Sequence, residues 1–244
     1  QSEYDEGHIA GAILIPEYEI SERAEEELFD KDQHILENYY KLAMIAKEYN
    51  AKTTMILQSS TGNEFKGTLS EGDMRWQAYL AIAFGADNLQ YYCYSVPTTY
   101  NSDGTKIESY LYNHCMLNQD RTPSKLYYDV KTVNAEIQNF ASAVLAYDWQ
   151  QSIGITGLEK QTYRVSCIEL DENWEKVKMN DAKHYVDAFG TQDLVVSRFN
   201  SEEHGEAYMF VNFGNIPEDI NKIEASFKDC KALALYGGSE FTGE

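Results

Sequence analysis

The sequence predicts an α/β protein in which a parallel sheet with covering helices is followed by a small antiparallel β domain. Between residues 35 and 147, stretches with helical spacing of apolar residues alternate with short apolar runs. That alternation is typical of a parallel sheet covered by helices. After Trp149 the chain changes to short strand-like runs separated by turns and charges, which indicates antiparallel pairing. We therefore divide the 244 residues into segments 1–32, 33–150 and 151–244.

The segment 33–150 carries signals for five elements in the order helix, strand, helix, strand, helix. Ser70 is a good helix N-cap followed by acidic residues, and Gly85 and Asn50 are typical of the positions that follow a helix. The turn signal Asn-Ser-Asp-Gly at 101–104 lies in the long loop before the last helix. The predicted elements are a helix over 35–49, a strand over 53–57, a helix over 71–84, a strand over 89–96 and a helix over 126–147.

Shorter elements are predicted on either side of this segment. Near the start, residues 12–15 are an apolar run ended by Pro16, which indicates a buried strand, and residues 17–28 are acidic and rich in helix formers. Beyond residue 150 the predicted strands are 162–170, 194–199, 207–212, 223–227 and 232–236.

Composition excludes several classes of partner. The net charge is −20, from 40 acidic against 20 basic residues, whereas nucleic acids and anionic membrane surfaces attract clusters of Lys and Arg. No apolar run approaches the roughly 20 residues of a membrane span. The four Cys have no Cys-x-x-Cys spacing, which argues against a zinc or redox motif. We expect no metal site and no cofactor. No signal peptide is visible, and we expect a cytoplasmic protein.

The first residues carry a specific motif that is not completed downstream. The motif is Glu3-Tyr4-x-x-Gly7-His8-Ile9-x-Gly11-Ala12, followed by Ile15-Pro16. It resembles the first half of a rhodanese domain over residues 1–32. In that family a Cys then opens the loop that holds a persulfide, but this chain reads Gln-His-Ile-Leu-Glu-Asn over 33–38. Because the thiolate is the nucleophile, its absence predicts a rhodanese-like segment without sulfurtransferase activity.

Two further stretches resemble another family over residues 35–240. The first runs from Met74-Arg75-Trp76-Gln77 to Phe84-Gly85-Ala86-Asp87 and continues into Leu89-Gln90-Tyr91-Tyr92-Cys93-Tyr94. This stretch is similar to the seventh helix and eighth strand of β-galactosidase-type glycoside hydrolase barrels. The stretches 193–199 and 207–213 are similar to the β domain that closes such chains. The resemblance implies a partial (β/α) barrel followed by a β-sandwich-like domain, with carbohydrate as the partner.

The resemblance also implies where catalysis takes place. Such barrels place two carboxylates at the carboxyl ends of their strands, an acid/base and a nucleophile. The nucleophile position after strand 53–57 holds Gln58, whose amide is neither a nucleophile nor a base. The chain therefore uses other carboxylates, for which Glu64 and Glu71 are the candidates, or it is inactive. It would be an O-glycosyl hydrolase only if a missing half-barrel supplied the acid/base.

The candidate sugar-binding residues are Gln58, Trp76, Tyr92 and Tyr94. An amide at a strand end can bond a hydroxyl, and aromatic rings can stack on a pyranose. Tyr92 and Tyr94 share one face of the predicted strand by its period of two. Two parallel strands cannot close a barrel, so an open sheet edge is expected, with a homo-oligomer through that edge as one outcome. The alternatives that remain are a non-catalytic carbohydrate-binding or interaction module and a rhodanese-like fusion.

The absent Cys loop leads to a direct prediction. The purified protein should produce no thiocyanate from thiosulfate and cyanide, because no thiolate occupies the persulfide position. The measurement is a colorimetric thiocyanate assay with an active rhodanese as the positive control. Thiocyanate production that vanished on replacing one of the four Cys by Ser would contradict the prediction.

Overall fold

The computed structural model describes residues 31–62, 68–95, 100–105, 112–155, 162–164, 179–213 and 222–229. Helices and strands occur in comparable amounts among these residues, as an α/β protein requires. The rhodanese-like motif, Glu64 and the strand predicted at 232–236 lie outside the described residues.

Three helices cover the first part of the described chain: α1 (Lys31–Tyr49), α2 (Glu71–Ala83) and α3 (Lys125–Val144). The predicted cap of α2 is confirmed, because the Ser70 hydroxyl accepts the Asp73 N–H while the Asp73 carboxylate accepts the Ser70 N–H. This reciprocal pairing satisfies N–H groups that have no partner inside the helix. Asn50 follows α1, as predicted for a residue at a helix C-terminus, and its φ of 49° is left-handed.

The strands of this part form a parallel pair. β1 (Thr54–Gln58) lies beside β3 (Asn88–Tyr92), and Met55 is the register partner of Leu89. The expected parallel arrangement is therefore present, and no closed barrel is found among the described residues. The two-residue strand β2 (Thr61–Gly62) follows β1 in the chain and pairs antiparallel with β4 (Tyr112–Asn113).

β3 is shorter than the predicted strand 89–96. It ends at Tyr92, the peptide bond from Tyr92 to Cys93 is cis, and the chain bends at Tyr94. Beyond the bend, the Tyr94 carbonyl accepts the Leu117 N–H at 2.9 Å. The run of aromatic residues predicted a longer strand, but the backbone after Tyr92 pairs with a loop instead of continuing beside β1.

The second part of the chain forms two antiparallel sheets. Four strands lie in the order β6 (Thr162–Arg164), β5 (Asp148–Ile155), β8 (Leu194–Ser201) and β9 (Gly205–Asn212). A separate pair consists of β7 (Tyr185–Gly190) and β10 (Ile223–Phe227). The predicted strands within 194–199, 207–212 and 223–227 are confirmed. β5 and β7 were not predicted, because polar residues interrupt both sequences.

The four-stranded sheet is buried on both faces. Along β8, Val195 and Phe199 belong to the larger core, which also contains residues of α1, α2, α3, β1 and β9. The alternate residues Leu194 and Val196 belong to a second core, which they share with Tyr185 of β7. Since successive side chains of a strand point to opposite faces, this sheet is a central layer between the helices and the β7–β10 pair.

Trp149 of β5 makes one of the contacts between the two parts. Its indole N–H donates to the Ser152 hydroxyl at 2.9 Å, its ring meets Tyr40 of α1 edge to face, and it packs against Gly85. Gly85 follows α2 with φ +78°, and its N–H bonds the Ile82 carbonyl at 2.9 Å. A Cβ at Gly85 would lie 2.7 Å from the Cβ of Trp149. Glycine is thus required here for its backbone angle and for the space that Trp149 occupies.

Two surface turns share one hydrogen-bond pattern. In the turn at 101–105, the Thr105 hydroxyl donates to the Asp103 carboxylate and the Asn101 side-chain amide donates to the Thr105 hydroxyl. The turn at 118–122 repeats these bonds with Asn118, Asp120 and Thr122. The fourth position has φ +82° at Gly104 and +70° at Arg121. The predicted turn at 101–104 is confirmed. Gly104 has a positive φ like Gly85, but no described atom lies near the position of an added Cβ, so it can serve as a control for Gly85.

Replacing Gly85 by Ala should lower the free energy of unfolding by roughly 2–5 kcal/mol. A side chain at positive φ costs about 1–2 kcal/mol, and displacing Trp149 adds about 1–3 kcal/mol. Gly104→Ala is the matched control, since its φ is similar and no described atom lies within 4 Å of the added Cβ. Urea unfolding of both variants measures the difference. Equal losses in the two variants would show that the Trp149 contact does not constrain Gly85.

Candidate functional site

The candidate site lies where β1 and β3 end. Gln58 and Tyr92 are register partners in the parallel pair, so their side chains leave the same face of the sheet. Both are exposed, and Tyr92 retains 51% of its accessible surface. Ile56, two residues before Gln58, is 63% exposed on that face. Met55 and Leu57 point the other way and are buried against the helices. The sheet therefore presents an open face with an amide, a phenol ring and an aliphatic side chain.

Two buried serines hold the end of β3 against the end of β1. The Ser59 N–H donates to the Tyr92 carbonyl at 2.7 Å, which extends the parallel pairing by one bond. The Ser60 hydroxyl donates to the same carbonyl at 3.4 Å and accepts the Cys93 N–H at 3.3 Å. Serine suits these positions because its short hydroxyl can both donate and accept beside a backbone. The serines thus fix the position of the Tyr92 backbone relative to β1.

Gln77 of α2 supports Gln58 from the other side. Its side-chain carbonyl accepts the Gln58 N–H at 2.8 Å, and its amide nitrogen donates to the Gln58 carbonyl at 3.2 Å. Because backbone groups alternate in direction along a strand, and Ser59 points to β3, these Gln58 groups lie on the opposite edge of β1. The Gln77 amide therefore bonds the backbone groups that a neighbouring strand would otherwise bond at this edge. The Gln58 side chain donates in turn to the Ser60 carbonyl at 2.8 Å.

Tyr94 lies beyond the end of β3, where the alternation of strand side chains no longer applies. Its ring is 51% exposed, and its carbonyl is bonded to Leu117 as described above. The expectation that Tyr92 and Tyr94 share a face depended on a continuous strand through residue 94. Both residues lie at the carboxyl end of β3, but the backbone bends between the end of the strand and Tyr94, so the strand alternation does not put them on one face.

Trp76 and Glu71 have contacts away from the strand ends. The Trp76 ring packs on Phe213, which follows β9, with 5.6 Å between centroids. Glu71 forms an ion pair with Arg75 at 2.7 Å, and Arg75 also binds Glu136 of α3. Hydrogen bonds from the Arg75 guanidinium lower the pKa of Glu136. Arg75 therefore links α2 to α3 through Glu136, while its pair with Glu71 lies within α2.

The described part of the strand-end site has no acidic side chain. The residues that follow β1 and end β3 read Gln-Ser-Ser-Thr-Gly at 58–62 and Tyr-Cys-Tyr-Ser at 92–95. Among the described residues, no three His, Cys, Asp or Glu side chains lie together in a way that could hold a metal ion. These groups can bind hydroxyls and stack on flat apolar surfaces, whereas glycoside hydrolysis requires a carboxylate pair.

Gln77 is the residue that the sequence prediction missed. The sequence contained a sign of its role, because Gln77 is a polar residue inside the largely apolar stretch Met74–Phe84. A buried amide in a helix requires hydrogen-bond partners. Only the structure identifies those partners as the backbone of Gln58.

No model of a known protein family matches the chain, and no curated protein matches it at a significant level. None of the helices in the described part of the chain is both long enough and apolar enough to cross a membrane.

Replacing Gln77 by Met should destabilise the protein by about 1–3 kcal/mol. Met has a similar volume but cannot bond the half-buried N–H and carbonyl of the Gln58 backbone. Urea unfolding gives the free energy, and hydrogen exchange at the Gln58 amide should become faster. Gln90→Met, on the open face of β3, is the control and should change stability by less than about 0.5 kcal/mol. A Gln77→Met protein as stable as the unmodified protein would contradict this role.

Proposed function

We propose that the chain is a glycoside-hydrolase-related, carbohydrate-active protein that binds β-galactoside-like sugars at the strand-end site. The observation that carries the proposal is the pairing of Gln58 with Tyr92 on one open face. In this proposal β1 and β3 correspond to the last two strands of a (β/α) barrel. The antiparallel part corresponds to the β-sandwich-like domain that follows such barrels, a view supported by the shared core between β8 and β7.

The chemistry of the two side chains suits a pyranose. A phenol ring offers a flat apolar surface to the C–H face of the sugar. The Gln58 amide uses one N–H on Ser60, and its second N–H and its carbonyl oxygen can bond sugar hydroxyls. Ile56 extends the apolar surface. One ring and a few hydroxyl bonds predict weak binding, near the millimolar range, or about −4 kcal/mol.

We propose binding without hydrolysis by this chain alone. Gln58 stands at the position of the family's nucleophile and cannot form a glycosyl-enzyme. Glu71 is held in an ion pair by Arg75, and Glu64 lies outside the described residues. The rival proposals are an interaction module without sugar affinity and a rhodanese-like fusion. Homo-oligomerisation through the open edge of the parallel pair also stays a prediction.

The test is a titration of the ¹⁵N-labelled protein with a panel of galactosides and glucosides, followed by NMR. Amides of residues 58–60 and 91–94 should shift at millimolar sugar. Tyr92→Ala should weaken binding about tenfold, since loss of an aromatic stacking surface is worth about 1–3 kcal/mol, and Tyr94→Ala tests the second ring. Tyr49→Ala is the control, because Tyr49 is 71% exposed at the far end of α1.

Two results would contradict the proposal. The absence of any shift with every sugar would exclude the binding site and favour an interaction module. Turnover of nitrophenyl galactosides that disappeared in Glu64→Gln or Glu71→Gln would show that one of these carboxylates is catalytic.

A further inference from the structure

Two cysteines that are distant in sequence meet beside the strand-end site. Cys93 follows β3 directly, and Cys115 lies in the loop between β4 and α3. Their sulfur atoms are 3.5 Å apart. A disulfide requires about 2.05 Å between sulfurs, so closing the bond needs a shift of roughly 1.5 Å shared by two side chains.

The backbone around both cysteines is already held in place. The Cys93 N–H donates to the Ser60 hydroxyl, and the Cys115 carbonyl accepts the Ser124 hydroxyl at 2.8 Å. Between the two segments, the Leu117 N–H donates to the Tyr94 carbonyl at 2.9 Å. The segments therefore remain neighbours whether or not the sulfurs are bonded, which is the condition under which a disulfide forms with little distortion.

The two thiols differ in access to solvent. Cys115 is 1% exposed, whereas Cys93 is half-buried. Burial, reinforced by the neighbouring Cys93, raises the pKa of Cys115 to about 12. Because the thiolate is the reactive form and the reagent must reach it, Cys93 is the thiol that reacts first and Cys115 is the one that completes the bond.

We propose that Cys93 and Cys115 are a modification site that forms a reversible intrachain disulfide, with a small-molecule disulfide such as glutathione disulfide as the oxidant. In the first step the Cys93 thiolate attacks one sulfur of glutathione disulfide, whose S–S bond breaks and releases one glutathione thiolate. In the second step Cys115 loses its proton and attacks the Cys93 sulfur, and the second glutathione leaves. Two protein thiols are oxidised and one glutathione disulfide is reduced to two glutathione molecules.

The disulfide would tie the end of β3 to the loop before α3. It would close a loop over residues 93–115 and so restrict the unfolded chain. It would also hold Tyr92 and Tyr94, which flank Cys93, against the segment around Leu117. The site stands on the sulfur geometry alone and does not depend on sugar binding.

The experiment equilibrates the full chain with a series of ratios of glutathione to glutathione disulfide, followed by acid quenching and peptide mapping without reduction. The expected result is one crosslinked pair of peptides containing Cys93 and Cys115, with a mass loss of about 2 Da and a single transition along the series. A Cys167→Ser/Cys230→Ser double variant should behave identically. In that variant the oxidised form should unfold at higher urea concentration than the reduced form, whereas Cys93→Ser in the same background should show no such shift.

Three outcomes would overturn the proposal. One is the absence of a Cys93–Cys115 crosslink at every ratio. Another is glutathione that stays on Cys93 while Cys115 remains a thiol. The third is a crosslink from either residue to Cys167 or Cys230 in its place.

Discussion

The contact between Trp149 and Gly85 is the constraint on which the arrangement of helices and sheet depends. The Trp149 indole lies directly on the backbone where α2 ends, and its N–H enters a buried chain of hydroxyls formed by Ser152 and Ser197, 2.7 Å apart. The Ser152 hydroxyl also lies 3.4 Å from the Ala83 carbonyl, one of the last carbonyls of α2. A helix end buried against a sheet needs such partners for its carbonyls. One tryptophan thus fills space, satisfies polar groups and sets the distance between α2 and β5.

The position of α2 in turn determines the strand-end site. Met74 and Ala78 of α2 are fully buried in the core that includes Leu57, and Gln77 on the same helix reaches the backbone of Gln58. Any displacement of α2 along β1 would break the two bonds between Gln77 and Gln58, which require both amide atoms at once. The geometry of the site therefore follows from a helix whose far end is anchored by Trp149.

Much of the fold was predictable because its signals are local. The cap at Ser70, the stop at Gly85, the turn at Asn101 and the parallel order of β1 and β3 all follow from short stretches of sequence. The sequence could not predict β5, because its polar residues do not indicate a buried strand. Its Ser152 can be buried because its hydroxyl bonds that of Ser197 on β8. It predicted a continuation of β3 to residue 96, since aromatic residues favour strands, but bonding to Leu117 redirects the chain after Tyr92. Of the candidate sugar-binding residues, Gln58 and Tyr92 are register partners at the ends of β1 and β3. Trp76 was proposed from its place in a motif and packs on Phe213.

The two faces of the parallel pair differ in a way that bears on function. Parallel sheets are normally covered on both faces and carry apolar residues on both. Here the covered face carries Met55 and Leu57, while the open face carries Thr54, Ile56 and Gln58 on β1 and Asn88, Gln90 and Tyr92 on β3. Four of these six side chains are neither aliphatic nor aromatic. If an apolar helix or a second sheet covered this face, the amides and the hydroxyl would lose their hydrogen bonds to water, at a cost of about 1–3 kcal/mol each. Such a face suits contact with water or with a polar ligand, and the proposed sugar would be a ligand of that kind.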